Sequence, residues 1–198
     1  MKKNRVMTRR VHALAVLPLL AIVALGGERM FESRGQIGSE NEEVKQLLTV
    51  LRDEQMRNSE PSRVVAAIKR LGEMKATTAI DDLIQLLTFK HVYEWEMSGV
   101  DLRTTSIFRR YPATHALFQI GKPSLPALVK VIGTDERGSL ASENARNTLM
   151  EIFRWNPLEG VEYLRKASLN APTLGSGMLL SEAAEKSAEM IKKLEKRQ

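Results

Sequence analysis

The chain has 198 residues, no cysteine, and 30 Lys+Arg against 24 Asp+Glu. Without cysteine there is no disulfide framework, thiol nucleophile or thiolate metal centre, so stability must come from packing. Five of the basic residues (Lys2, Lys3, Arg5, Arg9, Arg10) precede Ala13, where no acidic residue stands, so residues 27–198 balance at 25 against 24; this near-neutral body excludes the broad basic field that nucleic-acid binding requires.

At the amino end, that basic cluster is followed by the uncharged run Ala13 to Leu25, with Pro18 inside it, then Gly26-Gly27 and the first acidic residue, Glu28. A basic segment, a short apolar run and small residues around Ala24-Leu25-Gly26 have the form of a secretory signal. The run is shorter than the ~20 residues of a bilayer span. Residues 1–26 therefore read as a signal peptide or an uncleaved signal anchor. Residues 27–41, polar and glycine-bearing, read as a flexible linker, and residues 42–198 as one helical domain in a periplasmic, secreted or membrane-anchored protein.

Val44, Leu47, Leu48 and Leu51 follow the i, i+3, i+4, i+7 rule of a buried helix face, with the helix expected to end near Met56 to Asn58. After Glu60-Pro61-Ser62, Val64, Ala67, Ile68 and Leu71 form another such face, followed by Gly72. A partner stripe then runs from Ala76 through Ala79, Ile80, Leu83, Ile84, Leu86 and Leu87. Phe89 to Arg110 interrupts the pattern with aromatic and charged residues. The stretch Tyr111 to Gly133 then gives a compact helical hairpin. Ala113, Ala116, Leu117 and Ile120 form its first face, Leu125, Leu128, Val129 and Ile132 its second. Pro112 opens the first helix, Gly121 and Gly133 stand as left-handed terminators, and Ser124 is placed to N-cap the second helix with Pro126 in its first turn.

Ala67-Ile68-x-x-Leu71-Gly72 aligns with Ala116-Leu117-x-x-Ile120-Gly121 at a separation of 49, and Leu117 and Ile120 align with Leu149 and Ile152 at 32. The third copy continues through Trp155-Asn156-Pro157 to Val161, Leu164 and Ala167, with Phe153-Arg154 where Gly-Lys stood before. Thr173 to Gly177 reads as a loop. Ser181 then caps a final helix with the stripe Ala184, Ala188, Ile191 and Leu194.

Leu71-Gly72-Glu73-Met74-Lys75-Ala76 and Ala116-Leu117-x-x-Ile120-Gly121-Lys122-Pro123-x-Leu125-Pro126-Ala127-Leu128 resemble the HEAT repeat, in the bacterial form related to phycobilisome-lyase-like repeats, over roughly residues 60 to 168. The resemblance implies an all-α fold, a right-handed α-α superhelix of about three helical hairpins between capping helices. It also implies a non-enzymatic scaffold or protein-interaction module. Two other roles stay open: an accessory or lyase-like enzyme subunit, and a membrane-tethered spacer.

Candidate partner-binding residues fall in two places. Tyr93, Trp95 and Arg109 belong to the interruption, where they either anchor a partner or, for the two aromatics, plug the gap beside the neighbouring helices. Asp81, Asp82, Gln85, Lys130, Glu159 and Glu162 are polar positions of the second helices, where a groove would lie. The partner class is another protein or peptide, with no nucleic acid, and with membrane contact only through the first 26 residues if these are uncleaved. No cofactor, metal or catalytic residue is expected. His91 with Glu94, Glu96 and Asp101 falls short of a zinc set, because only His91 and His115 remain beyond the first segment. The His-Glu pairs of HEAT-repeat iron hydroxylases are missing, since Val92 follows His91 and Ala116 follows His115. His115 reads as solvated.

Overall fold

Three prolines set the helix starts: Pro61, Pro112 and Pro157 each stand in the first turn, where a missing amide costs no hydrogen bond. The computed structural model of the protein describes residues 41–91, 106–134 and 136–196, all within one compact unit, Asn41–Gln198. The segment 1–26, all of the linker except Asn41, and Tyr93 and Trp95 lie outside the described residues. Among the described residues every regular element is helical.

In chain order these are α1 (41–52), α2 (Glu54–Ser59), α3 (Pro61–Glu73), a 3-10 turn at Thr77–Ala79, α4 (Ile80–Gln85), α5 (Ser106–Arg110), α6 (Pro112–Ile120), a second 3-10 turn at Lys122–Ser124, α7 (Leu125–Thr134), α8 (Leu140–Ile152), α9 (Pro157–Leu169) and α10 (Leu174–Glu195). The helix expected to reach Met56 to Asn58 is broken at Asp53, which turns extended and accepts from the Met56 amide, starting α2 as its N-cap.

Helix α3 packs on α6, α6 on α8, and α4 on α7. The buried positions recur as the sequence spacing predicts. Val64, Ala67, Ile68 and Leu71 of α3 correspond to Ala113, Ala116, Leu117 and Ile120 of α6, and Ala145 and Leu149 of α8 take the places of Ala113 and Leu117. Two departures appear further on. Helix α8 packs on α7 more extensively than on α9, and α10 lies against both α9 and α7. One hydrophobic cluster, with Ile68, Leu71, Leu83, Leu117, Leu128, Leu149 and Leu164 at its centre, runs through the helices.

The turn chemistry corrects several expectations. Gly121 does adopt positive φ (80°), and its amide closes onto the Leu117 carbonyl. In the first pair the left-handed residue is Lys75 (φ 52°) and not Gly72, which remains inside α3. The pairs therefore differ by one turn of chain. The first helices align at a separation of 49, but the 3-10 turns at Thr77 and Lys122 align at 45. Gly133 likewise lies within α7, where Leu180 and Ser176 of α10 close over it. Ser124 does not N-cap α7. Its hydroxyl donates to the carbonyls of Leu117 and Gly121 (3.1 and 2.7 Å), satisfying the end of α6 instead. The last helix starts at Leu174 under a Thr173 cap, eight residues before the expected cap Ser181. Gly177 lets its first turn approach α9, since a Cβ there would lie 3.0 Å from the Ser168 carbonyl oxygen.

Asn144, buried on α8, donates from Nδ2 to the Leu87 carbonyl oxygen at 2.7 Å, fastening the end of the α4 segment to a helix 57 residues further along the chain.

Candidate interaction surface

Arg109 is exposed on α5, as are Asp81 and Gln85 around α4. Asp82 is committed within the unit: Arg52 of α1 grips it with Nε and Nη2 at 2.8 and 3.0 Å. Glu159 is paired with Lys122 at 3.5 Å, bringing α9 onto the turn between α6 and α7, while Glu162 pairs with its helical neighbour Arg165. Lys130 stands at the edge of an open, mainly apolar groove between α7, α9 and α10, with Val129, Gly133, Tyr163, Ala167 and Leu180 among its walls. Of the second-helix positions, only Lys130 is placed in this groove.

The interruption returns to the unit through α5. The His91 amide donates to the Arg110 carbonyl at 3.0 Å, so the backbone on either side of residues 92–105 is tied together. Phe108 is buried, and its ring meets those of His115 (5.3 Å) and Phe118 (5.2 Å) on α6. His115 is therefore half-buried among aromatics rather than solvated. Burial lowers its pKa below the ordinary histidine value, and the nearby Lys69 lowers it further, against an opposing pull from Glu73.

This aromatic cluster continues outward. The Arg154 guanidinium lies over the Phe118 ring (5.9 Å) and over the Trp155 ring (5.4 Å), both within cation-π range. Trp155 itself is 89% exposed, and Leu158 beside it on α9 is 61% exposed. The result is a strip rooted in a buried phenylalanine that ends in a solvent-facing tryptophan held by an arginine. Trp and Arg are, with Tyr, the side chains most enriched at binding hot spots, where the indole supplies a large apolar area for a partner to cover.

Sequence reasoning missed Arg154 and Trp155 because they lie in the α8–α9 turn, outside any helical period. Their one local signal was a large aromatic immediately before Asn-Pro, which periodicity reads as punctuation. Among the described residues no group of three or more His, Cys, Asp or Glu side chains is arranged to hold a metal.

No protein-family model, curated protein or solved structure matches the chain.

Proposed function

We propose that this chain is an exported protein-interaction module without chemistry of its own, built as a right-handed superhelical stack of HEAT-like helical pairs. Its partner is a protein or peptide that docks on the Phe118–Arg154–Trp155 strip. Support for the stack comes from the recurrence of buried positions at separations of 49 and 32 together with the packing of α3 on α6 and α6 on α8. Export rests on the basic segment and apolar run before Gly27.

The observation that carries the interaction reading is Trp155, an almost fully exposed indole braced by Arg154. The test is capture of the tagged protein from its native envelope fraction, with Trp155→Ala and Arg154→Ala run beside the unaltered chain. The expected result is a protein retained by the unaltered chain and lost from both variants, whose melting temperatures match the parent because the side chains are exposed. Equal recovery of the same proteins by all three chains would refute docking at this strip.

A further inference from the structure

A second place in the unit holds a charged donor, on Arg146, that has no hydrogen-bond partner among the described residues. Helix α8 presents Ser142, Glu143 and Arg146, α10 presents Leu179, Glu182 and Lys186, and Arg137 and Gly138 of the α7–α8 turn close a small cleft over Ile132, with about 30 Å³ of space inside. Arg146 is half-buried, and its Nη1 is enclosed without a hydrogen-bond partner among the described residues. Burial pushes its pKa down from the ordinary guanidinium value, partly countered by the charge of Glu143.

The other carboxylate is already engaged. Glu182 Oε2 pairs with Arg137 at 2.6 Å and its Oε1 with Lys186 at 3.2 Å. Those hydrogen bonds hold the Glu182 carboxyl below its ordinary range, so it is ionised at neutral pH. Three cations and two carboxylates thus line the cleft, leaving one positive charge. A guanidinium is suited to a planar two-oxygen acceptor, and an enclosed N–H without one is destabilising. The space admits the tip of a ligand and little more. On the same side, sharing Arg137, Leu179 and Glu182, an open groove continues along α10 past Met178, which is 66% exposed.

We infer that this cleft is a socket for the terminal carboxylate of a peptide whose last side chain is apolar. Arg146 takes the carboxylate, and Met178 and Leu179 take the side chain. Glu185, further along the groove, disfavours an acidic residue upstream of that terminus. The inference rests on the reading that the partner is a protein or peptide, but it concerns a different surface from the Trp155 strip.

The minimal probe is N-acetyl-leucine, with N-acetyl-leucinamide as the control that removes only the charge. Saturation-transfer NMR on the full chain is expected to mark the leucine methyls of the acid, with affinity at least about tenfold weaker for the amide. Arg146→Met should weaken binding of the acid by a similar factor, whereas Trp155→Ala should leave it unchanged. Equal transfer to acid and amide, or none to the acid at about 10 mM, would overturn the socket without touching the Trp155 proposal. Because the acid-amide comparison uses the unaltered chain, it holds even if Arg146→Met folds poorly. Undiminished capture by Trp155→Ala and Arg154→Ala with the acid-amide difference intact would remove the strip and leave the socket standing.

Discussion

At Gly72 α3 lies tight against α6, and adding one methyl group there tests the packing of the first layer. A Cβ built on Gly72 would lie 2.8 Å from Ala116 Cα and 3.0 Å from Ala116 Cβ, and would also collide with Gln119 Oε1. The glutamine can rotate away, but the Ala116 backbone cannot. Restoring an ordinary carbon-carbon separation of ~3.5–4.0 Å requires the two helices to part by roughly 1 Å. That loosens the contact between two helices whose facing side chains include Ile68, Leu71, Leu117 and Ile120, all of them buried. Overpacking of this kind costs about 1–3 kcal/mol, opposed by a gain of about 0.5–1 kcal/mol from replacing glycine inside a helix. The net expectation for Gly72→Ala is a loss of about 0.5–2 kcal/mol, or a fall in melting temperature of about 1–8 °C for a unit of this size. Urea unfolding followed by far-ultraviolet circular dichroism measures it as a lower midpoint at unchanged slope. The matched control is Gly175→Ala in the first turn of α10, where a Cβ would meet only Thr173 Oγ1 at 4.0 Å. That variant should gain about 0.5–1 kcal/mol, since only the glycine penalty is relieved. If Gly72→Ala is as stable as the parent or more so, the close approach of α3 and α6 is not present in solution.

Leu117 and Leu128 are fully buried in the same cluster, so Leu117→Ala or Leu128→Ala should cost about 2–5 kcal/mol, while Leu169→Ala at an exposed position should cost under ~0.5 kcal/mol by the same measurement. Asn144→Ala leaves the Leu87 carbonyl without its donor and should cost about 1–3 kcal/mol. Asn144→Asp should cost at least as much at neutral pH, because a carboxylate then faces that carbonyl; equal stability of both variants to the parent would show that the bond contributes nothing. The folded-state pKa of His115 lies below its ordinary value, so on acidification through about pH 6.5 the unfolded chain binds a proton that the folded chain refuses. Stability should therefore fall as pH drops through that window, until the folded imidazole also protonates. His115→Gln should remove this part of the slope in urea midpoints measured from about pH 7.5 downward.

Much of the helical layout is legible locally. The faces Val64-Ala67-Ile68-Leu71 and Ala113-Ala116-Leu117-Ile120 follow from the 3.6-residue period, and Pro61, Pro112 and Pro157 mark helix starts through their fixed φ and absent amide. Register between like helices is legible too, because equivalent burial leaves equivalent residue types. The last helix was harder to delimit. Gly175 and Gly177 look like a loop by propensity, yet Thr173 caps a helix that runs through both, with Gly177 close against α9, so the cap moved from Ser181 to Thr173.

What the sequence alone determined, then, is the longer amphipathic helices, their order and their buried faces, but not the short α2 and α5, since each long face depends on neighbours within about two turns. The tertiary structure decided how small and polar residues are used. It made Gly72 and Gly133 contact points, turned Ser124 back to close α6 and sent Asn144 to Leu87. It also enclosed the Arg146 guanidinium while leaving Trp155 in water. Each of these roles is set by an element lying across the residue in space, and the chain's local period carries no record of which helix that is.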